Sequence, residues 1–336
     1  MKLDLSAVVT ILIRLISVRY LITGGAGFIG SYLVRRLARL GETIVLARPA
    51  STRPQSWKSN SEGVRILPVD VCDEIGLVRV LSDVRPTAVC HLAAAGLTRG
   101  VSPAVVTATN VLGTRNLLAA IQATASVERA VFAGSWYEYG AASIDDPIRS
   151  PKPTSVYGIS KFTATQLVEK YAAESGLSVL VVRPFQVFGP DEPLHRLIPD
   201  VLRQAADGDS VQLQHPNVRR DWVYVEDVAE ALELALVSNG SGNVDIGTGV
   251  STSVRELVGR VLTLAGGVTS DVEEASSRMS GESDDARLSG TADIRRAQEL
   301  VGWTAKHDLA TGLQKTVEWY RRHWQRVFKT LPECIF

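Results

Sequence analysis

A tyrosine and a lysine stand four residues apart in Tyr157-Gly158-Ile159-Ser160-Lys161. On a helix, positions i and i+4 share a face. A free phenol, with a pKa of about 10, is a poor acid or base at neutral pH. A neighbouring ammonium favours the phenolate. Tyr157 and Lys161 could therefore move a proton together, with Lys161 also holding a cofactor ribose. The plainer alternative is a half-buried helix tyrosine beside a solvated lysine. A third group should orient the substrate oxygen. Ser135 ends the apolar run RAVFAGS (129–135), and ligands approach a parallel sheet at the C-terminal ends of its strands. The plainer reading of Ser135 is a helix or turn cap.

A second constellation precedes it. TGGAGFIG places Gly24, Gly27 and Gly30 around Phe28 and Ile29, after the apolar RYLIT (19–23) and at the start of a helical pattern. Such glycines let the backbone approach a pyrophosphate, and the helix N-terminus offers amide donors and positive potential. A merely structural tight turn is the alternative. A ribose-binding carboxylate would stand after the second strand, TIVLA (43–47). Arg48 stands there instead, with Arg53 nearby. A guanidinium forks well onto a 2′-phosphate, so NADP(H) is favoured, with NAD(H) the alternative if Arg48 is simply a surface residue. Asp70 and Val71, after the third strand, are placed at the adenine end.

The positioning elements follow from the apolar pattern. Strands are expected at 19–23, 43–47, 64–70, 87–93, 129–135 and 177–184, with helices at 28–40, 73–84 and 103–124 and from Tyr157 to about Glu174. Near-continuous apolar strands alternating with helices imply α/β architecture: a Rossmann-type doubly wound parallel sheet. After Pro184 the rhythm loosens into a smaller C-terminal α/β substrate-binding part. A small strand is expected within 207–214, a helix at 228–237 capped by Asp227 with Glu230 in a reciprocal box, and another capped by Ser253 with Glu256. Residues 276–290 read as a polar loop. The division is 1–18 as an N-terminal extension, 19–184 as the dinucleotide-binding domain and 185–336 as mainly substrate-binding, the last two interleaved.

Composition narrows the partners. The chain has 336 residues, 36 basic and 36 acidic, and is 45% hydrophobic. Zero net charge argues against nucleic acid as a partner and favours self-association, so a homodimer is expected. Cys72, Cys90 and Cys334 form no CxxC, and the five histidines form no metal motif. No metal is expected, and a reduced, cytoplasmic protein is. The apolar run at 8–17 is interrupted by Arg14 and is too short to span a bilayer, so no membrane partner is expected.

Taken in order, these segments resemble the extended short-chain dehydrogenase/reductases that act on nucleotide sugars, as epimerases, dehydratases and 4-ketoreductases. TGGAGFIG and YGISK resemble the cofactor loop and the tyrosine–lysine element. HLAAAG (91–96), TNVLGTRNLL (109–118), VVRPFQVFGP (181–190) and RRDWVYVEDVAEAL (219–232) resemble further segments of that group. The resemblance spans about Arg19 to Tyr320. It implies that Leu92, Ala93 and Ala94 line the cofactor site, that Ser135, Tyr157 and Lys161 are catalytic, and that Ser135 and Trp136 meet a nucleotide-sugar substrate. It gives Arg220 the sugar nucleotide's diphosphate, with Arg278 or Arg287 as a second phosphate ligand. The plainer reading of Arg220 is a salt bridge to Asp221 or Asp227.

GSWYEYG (134–140) separates the reactions. The dehydratases of that group carry an Asp-Glu pair directly after the serine or threonine; here Trp136 and Tyr137 hold those positions, and Glu138 comes one residue late. Dehydration is therefore disfavoured. Two reactions need only serine, tyrosine, lysine and a nicotinamide: reduction of a 4-keto nucleotide sugar, most simply a TDP-6-deoxyhexose, and 4-epimerisation. The missing carboxylate after the second strand favours NADPH-dependent reduction, with Tyr157 as proton donor. A non-catalytic nucleotide-binding protein is the alternative from another class, and an intact serine, tyrosine and lysine argue against it.

Overall fold

The computed structural model describes residues 18–48, 63–96, 101–140, 150–266, 272–274 and 288–328. Arg53, Arg278, Arg287, Cys334 and the expected extension up to residue 17 lie outside them.

Seven strands form one parallel sheet. They are β1 (Arg19–Thr23), β2 (Glu42–Ala47), β3 (Val64–Pro68), β4 (Ala88–His91), β5 (Arg129–Ala133), β6 (Ser178–Pro184) and β10 (Gly242–Ile246). Their order is β3-β2-β1-β4-β5-β6-β10, the doubly wound arrangement that reverses between β1 and β4. Leu21, Ile44, Val89, Ala130 and Leu180 are fully buried, as strands covered on both faces require. One face carries α2 (Glu74–Val84), α4 (Gly113–Gln122) and α5 (Val156–Ser175), through Leu77, Leu81, Leu117 and Val168. The other carries α1 (Phe28–Leu37) and α7 (Val225–Val237), through Leu33, Leu37, Val228 and Leu232. Residues from both sides of Pro184 thus build the large layer.

A second core lies beyond it. The strands β7 (Gln186–Phe188), β9 (Arg219–Tyr224) and β11 (Ser251–Ser253) form a mixed three-stranded sheet, and β8 (Val211–Leu213) pairs with β12 (Val272–Glu274). Against them pack α6 (Leu197–Asp207), α8 (Val254–Ala265) and α10 (Leu309–Phe328). The short α9 (Arg295–Val301) sits by β10 instead.

Two expectations change. The helix expected over 103–124 is broken into α3 (Pro103–Thr107), a π-helical turn (Ala108–Leu112) and α4. Asp227 does not cap α7, which begins at Val225 after Tyr224. Its carboxylate instead accepts the backbone N–H groups of Lys306 (3.2 Å) and His307 (2.9 Å) and lies 2.8 Å from His307 Nδ1. Long-range partners thus outcompete the local cap. Glu230 pairs with Lys306 and lies near Arg36 instead of closing a box. The Ser253–Glu256 box does form, with both reciprocal bonds. The stretch 103–122 is long and apolar enough to cross a membrane by composition, but half of it is buried inside the protein.

Candidate active site

The C-terminal ends of β1, β4, β5 and β6 open onto one cleft. Its walls include Gly24, Gly27, Phe28, Ile29, Gly30, Leu92 and Ala94 on one side. Ser135, Trp136, Tyr137, Tyr157, Lys161, Phe185, Gln186 and Arg196 stand on the other.

The first side is built from backbone. Gly24 has φ +69°, and a Cβ there would lie 2.5 Å from the amide nitrogen of Ala93. A Cβ on Gly30 would lie 2.3 Å from the Gly24 carbonyl oxygen. Only hydrogen side chains allow this approach of loop, helix and neighbouring strand. The turn closes with Gly27 N–H donating to Gly24 O at 3.0 Å, and α1 starts directly after it. A bare backbone cradle at a helix N-terminus fits a dinucleotide's pyrophosphate.

A polar chain fixes the β4 side of this cradle. Thr114 donates its hydroxyl proton to Asn110 O (2.7 Å), so it accepts from His91 Nε2 (3.1 Å). That leaves His91 Nδ1 to accept from Thr23 Oγ1 (2.7 Å), which in turn accepts Ala93 N–H (3.2 Å). Burial, helped by the Lys161 charge, pushes the imidazole pKa down to about 3, so it stays neutral. His91 is structural.

The second side is built from side chains. Ser135 follows β5 and is the N-cap of a single 3-10 turn, Trp136–Tyr139. It is therefore both a cap and a wall of the cleft. Its Oγ accepts Tyr137 N–H at 3.3 Å and hydrogen-bonds the Tyr157 phenol. Glu138 closes the box from behind. Fully buried, it accepts Ser135 N–H on one oxygen and Arg183 Nε on the other, each at 2.8 Å. The late carboxylate is thus committed to holding the serine turn, beneath which Tyr139 donates to Asp245 at 2.7 Å.

Ser155 caps α5 by accepting Gly158 N–H at 3.0 Å, and this first turn carries Tyr157 to the cleft. Burial pushes the phenol pKa up to about 12, opposed by the Ser135 hydrogen bond and the Arg196 charge. The phenol is held as an acid. One turn on, Lys161 is buried and donates to the carbonyl of Ala133 at the end of β5. Burial lowers its pKa to about 8, against the pull of Glu138. A group with that environment in a cleft is a functional-site signature.

Several contributors were not singled out by sequence. Asn110, inside the π turn, accepts Ala95 N–H (2.8 Å) and donates to Ala95 O (3.1 Å) and Ser160 Oγ (2.9 Å). It ties the β4 loop to α5, a common use of a π turn near function. Its signal was an amide side chain, one of three within the helical run expected over 103–124. Gln186 and Arg196 line the cleft from segments whose pattern says nothing about where they face. Trp136 stacks on Phe185 (5.7 Å, 20°), and Tyr137 meets Tyr157 edge-on at 5.7 Å.

The remaining sequence-derived residues lie further out. Arg48 is exposed at the end of β2; burial and Asp70 raise the Cys72 thiol pKa, and the Arg48 charge opposes them only slightly. Asp70 Oδ1 accepts Cys72 N–H at 2.9 Å, and Val71 packs on Gly113. Arg220, on β9, lies against the aromatic wall, its Cζ 5.9 Å from the Trp136 ring centre. Asp221 is engaged by Thr248, Gly249 and Ala292, and Asp227 by residues 306 and 307.

The comparisons with known proteins converge. The chain is 34% identical to a dTDP-glucose 4,6-dehydratase of Streptomyces griseus, over 90% of this chain and 94% of that one. Its structure resembles the UDP-glucose 4-epimerase of Thermotoga maritima with UDP-glucose, at TM-score 0.82 and 30% identity, covering 91% of this chain and 99% of that one. It also resembles the Thermus thermophilus UDP-glucose 4-epimerase complex with NAD, at TM-score 0.78 and 31% identity, covering 90% and 99%. Residues 20–247 match the NAD dependent epimerase/dehydratase family, and with the glycine cradle, the serine turn and the tyrosine–lysine helix in place this chain belongs to that family.

Proposed function

We propose that the protein reduces the 4-keto group of a nucleotide-activated 6-deoxyhexose, TDP-linked in the simplest case. One observation carries this reading: Ser135, Tyr157 and Lys161 share the cleft, while the nearest following glutamate is sequestered by Arg183. Gly24, Gly27 and Gly30 would hold the pyrophosphate of a nicotinamide dinucleotide, which would supply the hydride. Ser135 hydrogen-bonds the carbonyl oxygen, and Tyr157, held as a neutral phenol, gives it the proton. Lys161 stabilises the phenolate left behind and meets the cofactor ribose. Trp136 and Tyr137 replace the acid–base carboxylates a dehydratase needs. With Phe185 they make an apolar wall suited to a C6 methyl, where a C6 hydroxyl would lose its partners. Arg220, beside Trp136 of this wall, is assigned to the substrate's diphosphate together with Arg196.

The test is NADPH oxidation, followed by absorbance, with 4-keto-6-deoxy nucleotide sugars. Turnover with at least one of them is expected. Release of a 4-keto-6-deoxy product from a nucleoside diphosphoglucose would overturn the reading in favour of dehydration. Both solved relatives are UDP-glucose 4-epimerases, which supports a second reading, in which Tyr157 first takes the 4-hydroxyl proton. Nucleotide retained through gentle purification separates the two: tightly held NAD marks the epimerase, exchangeable cofactor the reductase.

NADPH is assigned over NADH because Arg48 stands where a ribose-binding carboxylate would. Arg48→Asp should weaken NADPH and spare NADH; equal parent affinities for both would remove this assignment. A homodimer is also assigned. Val105, Leu112, Val156 and Ile159 are 42–49% exposed on the adjoining stretches 103–122 and 156–175.

A further inference from the structure

The segment between β7 and α6 holds a carboxylate that the chemistry above leaves idle. Glu192 is 4% exposed. Its Oε1 accepts Arg196 Nε at 3.0 Å, and its Oε2 is buried with no hydrogen-bond partner among the described residues. A buried carboxylate oxygen without a donor is costly, and much less so once the group is neutral. Arg196 donates its other arm to Val187 O at 3.1 Å and remains 36% exposed on the cleft wall. Its charge reaches Tyr157, so it shares one cleft with the reacting groups.

We infer that Glu192 takes up a proton when the diphosphate of the sugar nucleotide docks on Arg196, so that substrate binding is proton-linked. This rests on the proposed nucleotide-sugar reading. With the cleft empty, one guanidinium faces one carboxylate. A diphosphate places further negative charge on the same guanidinium, and the buried anion behind it is the group that yields. One proton moves from solvent to the Glu192 carboxyl; no other bond changes. Burial already raises this carboxyl to about 7, against the opposing pull of Arg196 and of the nearby Gly189 amide. The other groups around it do not replace it. Tyr320, from α10, donates its hydroxyl to the Glu192 carbonyl at 2.9 Å, and burial holds its pKa far above neutrality. Asp191 faces Arg35, His323 and Arg326. His195 is lowered by burial and by Arg196.

The experiment is calorimetric titration of the NADPH-saturated protein with dTDP-glucose and UDP-glucose, in buffers of different ionisation enthalpy. These diesters have no group titrating near neutrality and no 4-keto group to reduce. Net proton uptake is expected at neutral pH, with affinity falling by up to about tenfold per pH unit above the Glu192 pKa. Glu192→Gln should abolish the uptake and flatten the pH profile while retaining affinity; Glu192→Asp should restore the linkage, and His195→Gln should leave it intact. Binding to the parent without uptake, or uptake that survives Glu192→Gln, overturns the inference. Uptake on NADPH binding to the empty protein overturns it too, because Arg196 would then face the cofactor. Failure of both sugar nucleotides to bind the parent at any pH instead sinks the nucleotide-sugar reading itself.

Discussion

The two sides of the cleft solve the problem of binding an anionic ligand in opposite ways. The β1 side removes side chains: Gly24 and Gly30 sit where any Cβ would strike backbone within 2.5 Å. The β5–β6 side adds them: Ser135, Tyr157 and Lys161 are each braced by a partner, and Glu138 and Arg183 are locked together beneath the serine turn. A backbone site is rigid because it has nothing to rotate. A side-chain site is rigid only while its buried supports survive. The first tolerates change around it and none within it; the second is exposed to mutations well away from the reacting atoms.

Tyr157→Phe separates the two sides most sharply. Turnover should fall by about 10²–10⁴-fold, while NADPH affinity, measured by fluorescence titration, stays near the parent's. A variant with near-normal single-turnover hydride transfer removes Tyr157 from the proton-donor role. Glu138→Ala attacks the supports instead. It leaves the Arg183 guanidinium buried and unpaired and should cost about 3–5 kcal/mol in chemical denaturation, with activity lost through the serine turn. Gly24→Ala strikes the backbone side, where a left-handed residue gains a colliding methyl. About 1–3 kcal/mol of stability should go, and cofactor affinity should fall with it. Equal affinity in that variant would show that the cradle does not hold the dinucleotide. Ser253→Ala removes the cap of α8, which packs in the second core. It should cost about 1 kcal/mol and leave kcat unchanged.

The same contrast decides what could be read from the sequence. Six of the seven strands of the large sheet and the cradle were legible because apolar runs and glycines report backbone needs locally, whereas β10 was not read. Ser135, Tyr157 and Lys161 were legible through spacing and strand position. Glu138 could be recognised as misplaced for dehydration, but its partner Arg183 is 45 residues away and only β5–β6 pairing brings them together. Asp227 misled for the same reason: a good local cap lost to residues 306 and 307, about 80 positions on. Arg196 and Gln186 carry no periodic signal, and their facing is set by how β7 and α6 dock. The break at Ala108–Leu112 was invisible because a π turn leaves composition unchanged.

The last strand of the large sheet has a consequence for how the protein is made. β10 pairs with β6 along its whole length, yet about 60 residues separate them in the chain. During synthesis, β6 leaves the ribosome with one bare edge, which stays unpaired until Gly242–Ile246 and its flanks have followed. A fragment ending near Pro184 would keep that edge permanently, along with the apolar surface that α7 covers. Such a fragment should self-associate rather than bind cofactor as a soluble unit. The nucleotide-binding layer is therefore finished by the half of the chain that comes last.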